Sequence, residues 1–537
     1  MSIYASLFAF VTIPLVPLVS AAPSHARSST VEWGPCPDYL VAGPAPIIEC
    51  GNLTVPLDYA SPNSSETLEL ELVRVPAIKG PSRGSILFNF GGPGFPARPN
   101  LASRSYLLQA ATGGHHDLVA WDPRGVGNTT TFSCDPEGEF ALDAGPQGNG
   151  SDPSLVGRHW AVANAWSEYC LANPEASEVG SRISTAYTAR DAMRIVDALD
   201  DDGMLRYWGT SYGTILGATL AAMFPDRVDK VVLDSVVNPT QWYEGVDTEW
   251  LEDADKTLLA LFQECLDHSA ACPLAHANST AQQLLERTLA FMEDLKRNPI
   301  AVGGFAVFDQ TFMAAVTRPV LNDATRWPAF AAFLTHALSG NLTGAIEGLA
   351  ALLAFIPNPS LDGVSNNNSP DGIQCADKGP RYTTLRDFIP AVDSASRASR
   401  ALGFYLGRIA MVCAQWKIEP RERFEGSFAN VRTKNPILVF SHGLDPSTSI
   451  NGARNVTAGF EGSVLLQTDG YGHGWRAHPS VCATRAIQKY FDQGVLPEPD
   501  TVCKTDVTPF LNFTSLEDTW DELLPQFGFD TPTKKDM

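Results

Sequence analysis

Basic residues are scarce in this chain. Lys and Arg number 38 against 60 Asp and Glu, which leaves a net charge of −22 over 537 residues. A surface so short of positive charge argues against a nucleic-acid binder and against stable association with anionic membranes. Also missing are the H-E-x-x-H spacing of a zinc site, a phosphate-binding loop, a dinucleotide fingerprint and any C-x-x-C pair. No metal and no organic cofactor is expected. There is no internal repeat, and past the N-terminal stretch no apolar run is long enough to cross a bilayer. With 44% hydrophobic residues, the chain can bury a large core or two substructures.

The most informative stretch runs from Leu205 to Met223. At its centre is Gly209-Thr-Ser211-Tyr-Gly213, a G-x-S-x-G pentapeptide. A strand-like run precedes it and a small, apolar run at helical spacing follows. A serine nucleophile needs such a strand-to-helix turn, in which flanking glycines let the backbone bend sharply and leave Oγ exposed above a sheet. The helix that starts there also points its first N–H groups at a developing oxyanion.

An acid and a base are then sought downstream, in that order. Pro436-Ile-Leu-Val-Phe-Ser-His-Gly-Leu-Asp445 is an apolar strand ending in an aspartate turn. Val464-Leu-Leu-Gln-Thr-Asp-Gly-Tyr-Gly-His473-Gly is a second strand ending in a glycine-flanked histidine. In an open parallel sheet, ligand-facing residues lie at the carboxyl ends of strands. Ser211 is therefore expected to attack, His473 to carry its proton, and Asp445 to orient the imidazole. His442 and Asp469 stand close to the chosen pair and rank below it. Two upstream turns complete the picture. Ser85-Ile-Leu-Phe-Asn-Phe empties into Gly91-Gly92-Pro93-Gly94, whose Gly92 amide with that of Tyr212 would form a two-donor oxyanion hole. Leu118-Val-Ala-Trp-Asp122-Pro-Arg124-Gly-Val-Gly127 reads as a structural brace beside it.

Strand-like and helical runs alternate from Val55 to Val237, which predicts a mostly parallel sheet with helices on both faces. From Asn238 to Trp416 the pattern turns helical, as in Leu258-Leu-Ala-Leu-Phe-Gln-Glu-Cys, and Pro357 to Pro370 is a Pro/Asn/Ser-rich loop. The core resumes at Pro436.

The glycine loop, the Asp122 turn, the Ser211 elbow, Asp445 and His473 together resemble the α/β-hydrolase peptidases related to proline iminopeptidase, and above all the secreted tripeptidyl aminopeptidases. Val55-Pro-Leu-Asp-Tyr59, Trp250-Leu-Glu-Asp-Ala-Asp255, Gly372-Ile-Gln-Cys-Ala-Asp377 and Cys413-Ala-Gln-Trp416 extend the likeness from Trp33 to about Cys503. Two departures fall on the oxyanion loop: Phe90 replaces the usual histidine, and Phe95-Pro96-Ala97 replaces further small residues. The resemblance implies an α/β-hydrolase core over 33–237 and 417–525, an inserted helical cap over 238–416, and cleavage at peptide N-termini. A tail over 526–537 is expected to fray.

A cap serving such a reaction would recognise a positive N-terminal amine with carboxylates. It offers Glu244, Asp247, Glu249, Glu252, Asp253, Asp255 and Asp377. Glu249, Asp253 and Asp377 look least like surface charges, and the first two, four apart, are expected to share a helix face. Ten cysteines suit an oxidising compartment. Sequence leaves their connectivity open, but proximity and the resemblance both suggest Cys36–Cys50, Cys134–Cys170, Cys265–Cys272, Cys375–Cys413 and Cys482–Cys503. Residues 1–21 read as a secretory signal peptide, with a retained anchor as the competing reading. Sequons begin at Asn52, Asn63, Asn128, Asn149, Asn278, Asn341, Asn367, Asn455 and Asn512. The expectation is a secreted, glycosylated serine exopeptidase acting on peptides. The alternative is an esterase or lactonase acting on small-molecule esters, and a catalytically silent binding protein ranks third.

Overall fold

The computed structural model describes residues 30–39, 47–127, 129–140, 142, 153–200, 202–275, 279–302, 306–353, 368–513 and 515–530. The expected signal peptide, four sequons (Asn128, Asn149, Asn278 and Asn367) and most of the 357–370 loop lie outside these residues.

Strands form where short apolar runs meet turn residues. In chain order they are β1 (Gly34–Pro35), β2 (Glu49–Pro56), β3 (Thr67–Val75), β4 (Ser85–Asn89), β5 (Asp117–Trp121), β6 (Leu205–Ser211), β7 (Val228–Val236), β8 (Ile300–Val302), β9 (Ala306–Phe308), β10 (Leu438–Leu444), β11 (Val464–Tyr471) and β12 (Val502–Cys503). Ten of them make one sheet in the order β1-β2-β3-β5-β4-β6-β7-β10-β11-β12. Pairing is antiparallel from β1 to β5 and parallel from there to β12. This is the mostly parallel α/β-hydrolase sheet.

Both faces of the sheet are covered, so its central strands carry no polar face. In β4, Ile86 and Phe88 join the core on one side and Leu87 the core on the other; in β5, Leu118 and Ala120 alternate with Val119 and Trp121 in the same way. Helices Ala97–Ala111 and Val481–Gln493 cover the first face, and Thr185–Leu199, Tyr212–Met223 and Ile450–Gly459 cover the second. The elbow helix lies close to the sheet because Gly217 faces it. A Cβ there would come within 2.5 Å of Leu233 Cδ2.

Between β7 and β10 the chain leaves the sheet for a run of helices and the β8–β9 hairpin. The cap-like layer draws on an earlier segment as well. Helices Pro153–Ala172 and Pro174–Gly180, between β5 and β6, contribute Val156, Ala163, Cys170 and Ala176 to a third core with Trp242, Ile373, Phe388 and Trp416. All ten cysteines pair as Cys36–Cys50, Cys134–Cys170, Cys265–Cys272, Cys375–Cys413 and Cys482–Cys503. Two expectations are corrected. Fraying does not begin at 526, since Phe527 and Phe529 are buried and Tyr106 Oη donates to the Asp530 carbonyl at 2.9 Å. Glu249 and Asp253 do not share a helix face, because the helix starts only at Ala254. The left-handed residue Gly245 has closed the preceding helix, and a run of turns follows.

Arg124 is the brace the sequence suggested. It is 2% exposed, and its Nε and Nη2 donate to both oxygens of Asp191 at 2.6 and 2.8 Å. Its remaining donors reach the carbonyls of Pro56 and Leu57 at 2.6 Å each. One guanidinium thus joins the end of β2, the β5 turn and helix Thr185–Leu199. Asp191→Ala would leave that cation buried without its partner, a loss of about 3–5 kcal/mol. Chemical denaturation should show a shift of this size, and a loss below about 1 kcal/mol would reduce the pair to the rank of a surface salt bridge.

Candidate active site

Strands β4, β6, β10 and β11 are brought side by side or nearly so by the strand order, and each carries one of the candidate site segments at its carboxyl end. β6 ends on Ser211, which is held at φ 60° and ψ −123°. The surrounding glycines make that conformation attainable. A Cβ on Gly209 would stand 2.1 Å from the Gly213 carbonyl oxygen, and one on Gly213 would stand 2.4 Å from the Asn89 carbonyl oxygen. Thr214 Oγ1 donates to the Ser211 carbonyl at 2.6 Å, and Tyr207 Oη donates to that of Gly213 at 2.7 Å. Helix Tyr212–Met223 starts at the next residue, so its first N–H groups have no partner within the helix.

The glycine loop after β4 lies directly on this elbow. Gly91 has φ +91°, and a Cβ there would be 2.8 Å from Ser211 Cβ and 3.2 Å from the Tyr212 nitrogen. Gly92 and Gly94 are also left-handed. Asp122, on the β5 turn, fixes the far end of the loop: Oδ1 accepts from the Ala97 and Arg98 amides at 2.7 and 3.2 Å, and Oδ2 accepts from Arg98 Nε at 2.9 Å. The two departures from the family pattern have separate fates. Phe90 stacks on Phe88 with ring centroids 5.9 Å apart, whereas Phe95 is 51% exposed.

Asp445 and His473, 28 residues apart, meet at the ends of β10 and β11. His473 Nδ1 lies 2.9 Å from Oδ2 and 3.1 Å from Oδ1 of Asp445. The carboxylate is fully buried and also accepts from the Ser447 and Thr448 amides at 2.9 Å each and from Thr448 Oγ1 at 2.8 Å. Burial alone would raise its pKa. The facing His473 and the bonds from His473, Ser447 and Thr448 outweigh burial and hold the group below the ordinary carboxylate value.

Two residues that the sequence reading passed over or ranked low hold the loop that follows His473. Asp234 in β7 is fully buried. Its Oδ1 accepts from the Trp475 amide at 2.8 Å, and its Oδ2 from Thr210 Oγ1 at 3.0 Å and Trp208 Nε1 at 3.4 Å. One carboxyl thereby ties the residue before Ser211 to the loop after His473. Burial pushes it up to about 6, against its hydrogen bonds and the nearby His473. His442 reaches the same loop. Its Nε2 is 3.0 Å from the Gly474 carbonyl, which can only accept, so Nε2 carries the hydrogen and Nδ1 accepts from Thr468 Oγ1 at 2.6 Å. Burial holds this imidazole neutral, with its pKa lowered to about 4. The signal for Asp234 was a lone acid inside Val-Val-Leu-Asp-Ser-Val-Val, a run otherwise fit for the core.

The three carboxylates proposed for amine recognition are all engaged inside the protein. Asp377, fully buried, accepts from the Thr185 amide at 2.8 Å, Thr185 Oγ1 at 2.5 Å and Trp242 Nε1 at 3.0 Å, and burial raises it to about 6. Thr185 Oγ1 lies 2.6 Å from Tyr212 Oη, so this brace reaches the elbow. Asp253 accepts from Ser449 Oγ, the Ile450 amide and Lys256 Nζ at 2.7, 3.1 and 2.6 Å. Glu249 accepts from Asn238 Nδ2 and Asn455 Nδ2 at 3.1 and 2.7 Å. These bonds make them braces between segments rather than free anions.

Known proteins resemble this chain along most of its length. Residues 399–503 match the family described as TAP-like protein. The chain is 27% identical to the tripeptidyl aminopeptidase of Streptomyces coelicolor, an alignment covering 91% of this chain and 88% of that protein. It is 27% identical to serine protease Hip1 of Mycobacterium tuberculosis over 93% of this chain and 97% of that protein. Carboxylesterase B of the same species is 26% identical over 88% and 89% of the two chains. The chain is a serine hydrolase of the α/β-hydrolase fold, similar along 91% of its length to a tripeptidyl aminopeptidase.

Proposed function

We propose that this protein is a secreted aminopeptidase that releases tripeptides or other short N-terminal fragments through an acyl-enzyme on Ser211. The observation that carries the reading is the His473–Asp445 pair at 2.9 Å together with the left-handed Ser211, the two strand ends being joined by Asp234 through Thr210 and the Trp475 amide, in a chain similar to a tripeptidyl aminopeptidase along 91% of its length. Ser211 Oγ attacks the scissile carbonyl carbon as its proton passes to His473 Nε2. Asp445, kept ionised by its donors, holds Nδ1–H and stabilises the imidazolium. The amides of Tyr212 and Gly92 face the oxyanion. The C–N bond then breaks, and the departing amine takes the proton from His473. A water attacks the acyl carbon by the same proton path and frees the N-terminal fragment. The five disulfides and the apolar leader with its small-residue cleavage site support secretion.

Incubation with a mixed library containing each peptide in free and N-acetylated form should give N-terminally shortened products from the free peptides alone, in steps of a fixed number of residues, and none with Ser211→Ala. Cleavage of acetylated peptides would defeat the aminopeptidase reading. If no peptide is cut while Ser211 still takes up a fluorophosphonate, an esterase like the carboxylesterase relative becomes the better account.

Asp234 acts in this scheme by position, since it fixes Thr210 and the Trp475 amide at once. Asp234→Ala would strand three buried donors, each costing about 1–3 kcal/mol. We expect kcat to fall on the order of 10- to 100-fold at constant KM, and steady-state kinetics will show whether KM moves instead.

The pH dependence of stability has a definite sign at His442. Its folded pKa is lowered to about 4 from 6.5, so on acidification the unfolded chain takes up a proton before the folded protein does. Stability from this group is complete above pH 6.5 and declines as pH falls towards 4. Asp234 and Asp377, raised to about 6, contribute in the opposite direction over much of the same window. His442→Gln keeps one donor and one acceptor, and its Tm should fall less between pH 7 and pH 4.5 (about half a unit above the unfolded and the folded pKa respectively) than that of the unsubstituted protein. Equal falls would show that His442 does not titrate as described.

A further inference from the structure

The acid and base loops are held by more than their own strands. Asn322 closes helix Gln310–Leu321 in the inserted segment, far from both loops in sequence. Its main-chain carbonyl accepts from the His473 amide at 3.0 Å. Its side-chain Oδ1 accepts from Ser447 Oγ at 2.7 Å. Ser447 is the residue whose amide donates to Asp445 Oδ1 at 2.9 Å. A single cap residue therefore stands one hydrogen bond from the backbone of the base and one residue from the acid.

The surrounding residues are shaped to this contact. Gly472, next to His473, has φ +103°, and a Cβ there would lie 2.7 Å from the Asn322 carbonyl oxygen and 2.9 Å from Ala477 Cβ. Any side chain at 472 would push the cap carbonyl away. Trp327, five residues after Asn322, packs on Tyr471 with ring centroids 5.0 Å apart. Tyr471 Oη donates to Glu264 Oε1 on another cap helix at 2.9 Å. The acid loop is gripped a second time where Asp253 accepts from Ser449 and Ile450. Asn322 is thereby bonded to both loops.

We propose that Asn322 is a positioning residue through which the inserted helical segment sets the geometry of the acid–base pair. The inference rests on the Ser211–His473–Asp445 reading above. Its side chain holds Ser447 so that the Ser447 amide stays on Asp445, while its carbonyl fixes the His473 backbone. Loss of the side chain should slow the step that moves the Ser211 proton and leave reagent binding unchanged.

The test is the rate at which a fluorophosphonate labels Ser211, resolved into the maximal rate kinact and the half-saturating concentration KI. It is run on the full chain, Asn322→Ala, Ser447→Ala, the double variant and Asn322→Asp, with the Tm of each recorded. Asn322→Ala and Ser447→Ala should each lower kinact about tenfold with KI unchanged, and the double variant should be no slower than either. Asn322→Asp keeps an acceptor for Ser447 and should recover most of the rate. Unchanged kinact in both single variants, additive losses in the double variant, or an Asn322→Asp variant as slow as Asn322→Ala would each overturn the inference. Failure of the unsubstituted protein to be labelled at Ser211 would overturn the triad reading itself, so the two failures are separable. Ser447→Ala probes the same bond from the core, should a substitution at 322 unfold the cap.

Discussion

The left-handed backbone at Ser211 is the constraint around which the molecule is arranged. A non-glycine residue at φ 60° and ψ −123° costs on the order of 1–3 kcal/mol and persists only where its surroundings over-determine it. Here they do so on every side. Gly209 and Gly213 leave no Cβ to obstruct the turn, Asn89 and Gly91 press against it from β4, and the hydroxyls of Thr214 and Tyr207 hold its carbonyls. The Thr214 hydroxyl also accepts from the Val237 amide at 3.1 Å. The elbow is thus locked to the end of β7, where the inserted segment departs. Strain at Ser211 is maintained by the packing of β4, β6 and β7.

Two buried carboxylates near this elbow behave oppositely, and their surroundings explain why. Asp445 faces an imidazole and receives two amides and a hydroxyl, which keeps it charged. Asp234 receives one amide, one hydroxyl and a long bond from an indole, with His473 only near it, and burial dominates. A carboxyl suited to orienting and stabilising an imidazolium must remain ionised at working pH, and Asp445 meets that requirement. Asp234 is suited to rigid positioning, because its acceptors are directional whatever its charge.

The legible parts of the sequence were those in which chemistry and local geometry coincide. Gly209-Thr-Ser211-Tyr-Gly213, the Gly91–Gly94 loop and the strand-end placement of Asp445 and His473 are local patterns, and the structure builds each where its motif lies. The Asp122 and Arg124 turn was likewise readable as a brace. What escaped is tertiary. Asn322 meets Ser447 across 125 residues, and no local pattern marks such a contact. Helices Pro153–Ala172 and Pro174–Gly180 were read as part of the alternating core, since amphipathic spacing does not say which layer a helix joins. The pairing of Glu249 with Asp253 failed because a spacing of four has meaning only inside a helix. Phe527 and Phe529 were lost to the expectation that termini fray, although two aromatics near a terminus are themselves a packing signal.

The point at which the helical segment is inserted gives these contacts their mechanical meaning. The segment leaves the sheet after β7, which carries Asp234, and returns before β10, which leads to Asp445. Its attachments therefore flank the two strands whose carboxylates, Asp234 and Asp445, bond the Trp475 amide and His473 Nδ1. Its interior contacts, through Asn322, Asp253 and Trp327, reach the loops that those strands and β11 support. The third core adds Tyr212, the residue beside the nucleophile, to the same body of helices. A layer that packs on Tyr212 and bonds Ser447 and His473 at separate points cannot shift as a whole without disturbing the mutual geometry of Ser211, Asp445 and His473. On the proposed reading, a shift of this layer is therefore expected to alter the rate of the chemical step as well as binding.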